Sequence, residues 1–139
     1  MDKPKLLIID DDEELCLELA EILRQENYIA DTVFDGRSGI SRIGGRGYSL
    51  VILDLKMPRM SGYDVLRYIR AGFPSLKVIV ITGIDLNKLN AEMENVFTKK
   101  AGESPANILK RADAVLSKPF DVEELLNKIS ELTSKCRPV

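Results

Sequence analysis

The sequence predicts an α/β domain with a five-stranded, doubly wound parallel sheet and helices on both faces. Four short apolar runs lack the alternation of a half-exposed strand and so predict strands buried on both sides: residues 6–9, 50–53, 78–81 and 114–116. Segments with helical spacing of apolar residues lie between several of these runs. Strands that alternate with helices form a parallel sheet, and right-handed crossovers place the helices on its faces.

Three helices are predicted from apolar residues that recur at intervals of about 3.6 residues. They follow the first, third and last strands, and their apolar positions are Leu15, Leu19, Ile22 and Leu23; Val65, Leu66 and Ile69; and Val122, Leu125, Leu126, Ile129 and Leu132. Two of them have capping signals, because Ser61 is followed by Asp64 and Asp121 by Glu124 at the spacing of a capping box. These caps predict where the two helices begin.

The fifth strand and one short helix are predicted from weaker local signals. A more polar run at residues 29–33 predicts a strand at the edge of the sheet. Ser104 and Pro105 suit the N-cap and the first position of a short helix before the last strand. The glycines from Gly36 to Gly47 are interpreted as helix termination and turns, because they lack the strand-to-helix context of a dinucleotide-binding loop.

Composition narrows the classes of function. The 139 residues suffice for one domain with a substantial core. Lys and Arg number 20 against 22 Asp and Glu, so the net charge of −2 predicts no direct binding to nucleic acid or to a membrane surface. The longest apolar runs have four residues, far fewer than the about 20 that span a bilayer. The absence of histidine excludes Ser-His-Asp and Cys-His catalysis, His-ligated metal sites and a role as phosphohistidine donor.

Cysteine usage predicts a reducing compartment. Cys16 and Cys136 are too few for a disulfide framework or a thiolate metal site, so the cytoplasm is the expected setting. Cys16 falls on the first predicted helix, where a small side chain that packs is the expected role, and neither cysteine has the surroundings of a reactive thiol.

Polar residues follow four of the predicted strands at the point where each strand ends. The first strand is followed by Asp10, Asp11 and Asp12, the third by Asp54, the fourth by Thr82 and the fifth by Lys118. Ligands of open parallel sheets bind at the carboxyl ends of the strands. Each residue alone has a simpler explanation, such as a turn, a surface charge or, for Asp12, a helix cap. Their convergence at one edge favours a binding site.

The chemistry of this set indicates a metal ion and a phosphoryl group. Two carboxylates about 4 Å apart repel by roughly 4 kcal/mol at an effective dielectric constant near 20, so clustered Asp10, Asp11 and Asp54 must hold protons or a cation. Oxygen ligands without histidine or cysteine favour a hard ion such as Mg²⁺. With Lys118 and Thr82 nearby, the site would suit a phosphoryl group, and one carboxylate could act as the nucleophile.

These residues resemble the receiver domains of two-component response regulators, in particular the single-domain regulators of the chemotaxis type. The matching stretches are residues 6–12, 51–62, 80–83 and 116–120. The most specific part runs from Asp54 through Met57-Pro58 and Met60 to Gly62. The resemblance covers residues 4–134 and implies a flavodoxin-like strand order 2-1-3-4-5. It also implies that residues 1–139 form a single receiver domain with a short tail at 135–139.

The resemblance implies a role for each site residue. Asp54 would be the phosphoacceptor, and Asp10, Asp11 and the backbone carbonyl of Lys56 would join it in holding Mg²⁺ or Mn²⁺. Thr82 and Lys118 would contact the phosphoryl group, and the bond between Lys118 and Pro119 would be cis.

The resemblance also implies the partners. The phosphoryl donor would be a sensor histidine kinase or a histidine phosphotransfer protein, and an unidentified downstream protein would read the phosphorylated state. The chain would be a monomer or weak homodimer and a signalling phosphoacceptor rather than an enzyme, although it would assist its own phosphorylation and autodephosphorylation.

The sequence departs from the receiver pattern in two places that bear on output. Val115 stands where the family usually has an aromatic residue. The spacing from Thr82 to Lys118 is longer than usual, so an insertion at about residues 84–103, with its own amphipathic helix, is expected.

Two other classes of function stay open. One is a phosphorylation-independent interaction module, that is, a degenerate receiver. The other is an aspartyl-phosphate phosphohydrolase, which is disfavoured because Lys56 stands where such an enzyme needs a second acid. Whether the chain is a complete single-domain regulator or a receiver with a further domain also stays open.

Overall fold

The computed structural model describes residues 3–45, 47–83 and 105–134, which alternate between strands and helices. The elements in chain order are β1 (Lys5–Ile9), α1 (Glu13–Gln25), β2 (Ile29–Val33), α2 (Gly36–Ile43), β3 (Leu50–Asp54), α3 (Gly62–Gly72), β4 (Lys77–Thr82), α4 (Pro105–Leu109), β5 (Ala114–Ser117) and α5 (Val122–Ser134). The expected insertion at residues 84–103 lies outside the described residues, as does the tail at 135–139.

The strands of the described residues form one parallel sheet in the order β2-β1-β3-β4-β5. This order confirms the predicted topology. The three inner strands are buried almost throughout. A separate apolar cluster covers each face of the sheet, with α2, α3 and α4 on one side and α1 and α5 on the other. The expectation of helices on both faces is therefore confirmed.

Several helices begin where the sequence predicts. Ser61 and Asp64 form a reciprocal capping box at the start of α3, and the Asp121 carboxylate accepts a hydrogen bond from the N–H of Glu123 at the start of α5. The short helix α4 starts at Pro105 as expected. Among the helices described here, none combines the length and apolar character that crossing a bilayer demands.

Two local predictions were wrong. Strand β5 is not buried on both faces, because it lies at the edge of the described sheet and only Leu116 within it is buried. Gly36 and Gly39 do not end a helix; both lie inside α2, close to the side chains of Met60 and Ile9 respectively. The absence of a side chain lets α2 approach β1 closely at Gly39 and the loop between β3 and α3 at Gly36.

Candidate functional site

The sheet brings the predicted site residues to one edge. Asp10 directly follows β1, Asp54 is the last residue of β3, Thr82 is the last residue of β4, and Lys118 directly follows β5. Because all four strands are parallel, these four positions lie at the carboxyl ends of neighbouring strands. The structure thus places together residues that are far apart in the sequence.

Three carboxylates form the centre of the site. One oxygen from each of Asp10, Asp11 and Asp54 lies within 4.8 Å of the other two. Asp10 and Asp54 are buried, whereas Asp11 is exposed. Oxygen donors at this spacing, with one side open to solvent, fit a hard divalent cation that keeps several water ligands, as Mg²⁺ does.

The Lys118 ammonium lies close to two of these carboxylates. Its Nζ donates a hydrogen bond of 2.9 Å to Oδ2 of Asp10 and lies 3.6 Å from Oδ1 of Asp54. Burial works to lower the pKa of Lys118, but the hydrogen bond to Asp10 and the charges of Asp54 and Asp10 outweigh it, so the pKa is raised. The ammonium is therefore charged at neutral pH and available to pair with an anion. The Lys118–Pro119 bond is cis, as expected.

The Asp54 carboxylate is poised close to protonation. Burial, followed by the charge of Asp10, raises its pKa to about 6, against the opposing effect of Lys118. A hydrogen bond from the backbone N–H of Lys56 also favours the ionised form. The raised pKa shows that Lys118 does not fully compensate the negative charge around Asp54. A bound divalent cation would neutralise that charge, so the residues present fit Mg²⁺.

The remaining predicted residues lie beside this centre. Thr82 is fully buried, and its carbonyl accepts a hydrogen bond of 2.7 Å from the N–H of Lys118. The side chain of Lys56 is exposed, and its contact with Asp54 is the backbone hydrogen bond. Asp12 caps α1 through a hydrogen bond from the N–H of Leu15, which is the simpler role that its position allowed.

Cys16 lies directly behind the acidic cluster. It is buried, and its thiol donates a hydrogen bond of 3.3 Å to the carbonyl of Asp10. Burial, with the charges of Asp10 and Asp12, raises its pKa to about 12, so the thiol is unreactive at neutral pH. This confirms the expected packing role.

Gly62 allows the loop after β3 to fold back onto the site. A Cβ at Gly62 would lie 2.1 Å from the carbonyl oxygen of Asp54 and 2.6 Å from Cα of Leu55. The N–H of Gly62 donates to the carbonyl of Leu55, which brings the start of α3 against the end of β3. Gly62 belongs to the sequence motif that begins at Asp54. The close contact with the backbone of Asp54 and Leu55 explains why this position has no side chain.

A second concave region lies at the opposite edge of the sheet. It is a half-open cleft of about 560 Å³ near the amino ends of β3 and β4, and its apolar walls include Ile43, Tyr48, Phe73 and Leu76. It has none of the acids or Lys118, so the chemistry of the acidic cluster does not extend to it.

Comparisons with known proteins agree with this geometry. The family model described as the response regulator receiver domain matches residues 6–130. Response regulator ArlR of Staphylococcus aureus is 34% identical over 125 residues, which cover 90% of this chain and 50% of that protein. The chain therefore spans about half the length of the curated relatives it matches.

Solved structures show the same similarity. The response regulator TrrA from Thermotoga maritima, in complex with Mg²⁺-BeF, has a TM-score of 0.74 and 27% identity, with coverage of 93% of this chain and 98% of that one. A CheY-like receiver domain protein from Methanospirillum hungatei has a TM-score of 0.78 and 27% identity, with coverage of 96% of both chains. With its strand order, its acidic cluster and a family match over most of its length, the chain belongs to the response regulator receiver domains.

Proposed function

We propose that this protein is the phosphoacceptor of a two-component signalling system and that Asp54 receives the phosphoryl group. The observation that carries the proposal is the position of Asp54. Its carboxylate ends a buried strand, lies with two other carboxylates in a cluster suited to a cation, and has the Lys118 ammonium 3.6 Å away. A nucleophile between a cation site and a lysine suits phosphoryl transfer.

The acidic cluster is the proposed metal site. Asp10, Asp11 and Asp54 would hold Mg²⁺ or Mn²⁺ through carboxylate oxygens, and the backbone carbonyl of Lys56 would complete the protein ligands. A bound ion would supply charge neutralisation of the phosphoryl oxygens. The Mg²⁺-BeF complex of the Thermotoga relative supports this assignment, because that protein shares the fold of this chain.

The bonds that form and break in the transfer involve only Asp54 and the phosphohistidine of the donor. An oxygen of the ionised Asp54 carboxylate forms a bond to phosphorus as the bond between phosphorus and the imidazole nitrogen of a phosphohistidine breaks. The electron pair of that bond stays on the imidazole. Lys118 would pair with one phosphoryl oxygen, and the Thr82 hydroxyl would donate a hydrogen bond to another.

The partners follow from the same assignment. Residues 1–139 contain no histidine, so the phosphohistidine lies outside this sequence, and we propose a sensor histidine kinase or a histidine phosphotransfer protein as the donor. We place this exchange in the cytoplasm. A downstream protein of unknown identity would bind the phosphorylated form, and hydrolysis of the acyl phosphate at Asp54 would end the signal.

We also propose that residues 4–134 act as one receiver unit that carries an insertion at about 84–103. The single sheet, with helices on both faces in the described residues, supports this division. Val115, at the position where the family usually has an aromatic residue, is partly buried against the cluster formed with α2, α3 and α4. Output that relies on a large aromatic side chain at this position therefore has no counterpart here.

A phosphorylation-independent interaction module is the second candidate, and the partly buried Val115 is the observation that favours it. That function predicts equal partner binding by the wild type and by Asp54→Asn. A phosphohydrolase is less favoured, because the exposed Lys56 side chain cannot act as the second acid.

The proposed function is tested by incubating the protein with Mg²⁺ and acetyl phosphate and measuring its intact mass. We expect one added phosphoryl group on the wild type and none on Asp54→Asn or without a divalent ion. Asp12→Asn is the matched control, because the Asp12 side chain caps α1, asparagine caps equally well, and the backbone of residue 12 is unchanged. It should be phosphorylated as the wild type is. An adduct that persists in Asp54→Asn would contradict the assignment of Asp54.

A further inference from the structure

Arg70 lies at the end of the molecule away from the acidic cluster, where it joins three segments. Its Nη1 donates a hydrogen bond of 2.6 Å to the carbonyl of Leu76, and its Nε donates one of 2.7 Å to the carbonyl of Arg111. Its Nη2 forms a 2.8 Å ion pair with Oδ2 of Asp113. The Arg70 and Asp113 side chains are only 16% and 25% exposed, so solvent screens the pair weakly.

Asp113 in turn holds the start of β5 against β4. Its Oδ2 accepts a 2.8 Å hydrogen bond from the N–H of Val78, and its own N–H donates one of 2.8 Å to the carbonyl of Val78. Asp113 therefore bonds both backbone groups of one β4 residue, at the position directly before β5. We call Arg70 and Asp113, with these contacts, the β5 clamp.

Strand β5 needs such an anchor more than the inner strands do. Among the described strands it lies at the edge of the sheet and pairs only with β4, through four residue pairs, and Leu116 is its one buried residue. A slip of one residue would reverse which side chains face each side of the sheet. Lys118, which follows β5, would then leave its position 2.9 Å from Asp10.

We propose that Arg70 and Asp113 are positioning residues for phosphoryl transfer, because they fix the register of β5 and so place the Lys118 ammonium between Asp10 and Asp54. The effect passes along the strand rather than through space. The clamp fixes one end of β5, and the hydrogen bond from Lys118 N–H to the Thr82 carbonyl fixes the other. This proposal rests on the proposed function, since it concerns the group that would pair with the phosphoryl oxygen.

The test compares Arg70→Gln with Arg67→Gln. Both variants remove an arginine from α3, but within the described part of the chain Arg67 makes only an exposed ion pair of 3.8 Å with Asp64. We expect Arg70→Gln to take up phosphoryl from acetyl phosphate about tenfold more slowly or worse, because a misplacement of about 1 Å can reduce a rate about 100-fold. Arg67→Gln should keep the wild-type rate.

A double-mutant cycle with Lys118→Ala separates positioning from general loss of structure. If Arg70 acts through Lys118, then Arg70→Gln has no further effect in the Lys118→Ala background. Asp113→Asn is a second variant that removes the charge but keeps an oxygen for the Val78 N–H, so it preserves most of the strand pairing. It should show the same lack of additivity.

Mg²⁺ affinity, measured by titration calorimetry, gives a readout that does not need phosphorylation. Lys118 competes with a cation for Asp10 and Asp54, so Lys118→Ala should bind Mg²⁺ more tightly, and Arg70→Gln should shift the affinity in the same direction. A variant that is merely less stable would not bind more tightly.

The clamp proposal is overturned if Arg70→Gln and Arg67→Gln have equal rates, or if the effects of Arg70→Gln and Lys118→Ala add in full. A wild-type chain that takes up no phosphoryl group would instead overturn the proposed function. In that case the Mg²⁺ affinities alone would test the clamp proposal. The proposal is wrong if Lys118→Ala changes the affinity and Arg70→Gln does not.

Discussion

Asp54 combines burial with the nearby negative charge of Asp10, and the two effects together raise its pKa from 3.8 to about 6. The consequence for stability has a definite sign. Between these two pH values the folded protein keeps a proton that the unfolded chain has released, so the free energy of unfolding falls as the pH rises. The residue proposed as the acceptor therefore destabilises the metal-free fold at neutral pH.

We predict that Asp54→Asn is more stable than the wild type above about pH 6, by up to about 3 kcal/mol, because the amide carries no charge that burial would penalise. The gain should shrink as the pH falls towards about 4. Urea unfolding of both proteins at a series of pH values, in a buffer without divalent ions, measures it. A difference that does not change with pH would contradict the environment described for Asp54.

At the scale of secondary structure elements, the junction of β3 and α3 is a close backbone contact near the site. The backbone of Asp54 and Leu55 occupies the space where a Cβ at Gly62 would lie. At the other end of the same helix, a Cβ at Gly72 would meet nothing within 4 Å. These two glycines thus form a matched pair, one needed for packing and one not.

We predict that Gly62→Ala lowers the free energy of unfolding by about 1–3 kcal/mol, because backbone atoms must move to admit the methyl group. Gly72→Ala should be neutral or should stabilise α3 by up to about 1 kcal/mol through helix propensity. Denaturant unfolding of both variants is the measurement. Equal effects at the two positions would show that α3 does not press on β3 as described.

Elements with strong local signals were predictable from the sequence, and those set by tertiary contacts were not. The capping box of Ser61 and Asp64 acts within one turn of helix, so the spacing of these two residues in the sequence is enough to identify it. The exposure of β5 depends on its position at the edge of the described sheet. Its apolar residues are like those of an inner strand and do not indicate that position. The contact of Arg70 with Asp113 joins residues that share no motif, so no sequence pattern indicated it.

At the scale of the whole molecule, the parallel sheet brings aspartates from distant parts of the sequence together at the carboxyl ends of its strands. The sequence predicted that Asp10, Asp11, Asp54 and Lys118 would meet, because parallel strands end at the same edge. It did not predict that Lys118 would pair more closely with Asp10 than with Asp54, since that depends on side-chain distances.

A ligand that binds only the folded site should stabilise the whole domain. We predict that Mg²⁺ at about 100 times its dissociation constant raises the free energy of unfolding by about 2.7 kcal/mol. Asp11→Asn should lose most of this gain yet change the metal-free stability by less than about 0.5 kcal/mol, because Asp11 is exposed. Thermal unfolding with and without MgCl₂ measures both quantities. Equal stabilisation of the two proteins by Mg²⁺ would argue against Asp11 as a ligand.

The ion pair between Asp10 and Lys118 joins positions that are 108 residues apart. During synthesis the acids of β1 and β3 leave the ribosome well before the lysine that follows β5. A nascent, truncated or partly unfolded chain thus holds the proposed acceptor without its lysine. If Asp54 accepts the phosphoryl group as proposed, a chain in which β5 has not yet paired with β4 lacks the ammonium beside Asp54, so its capacity for phosphoryl transfer depends on completion of the fold.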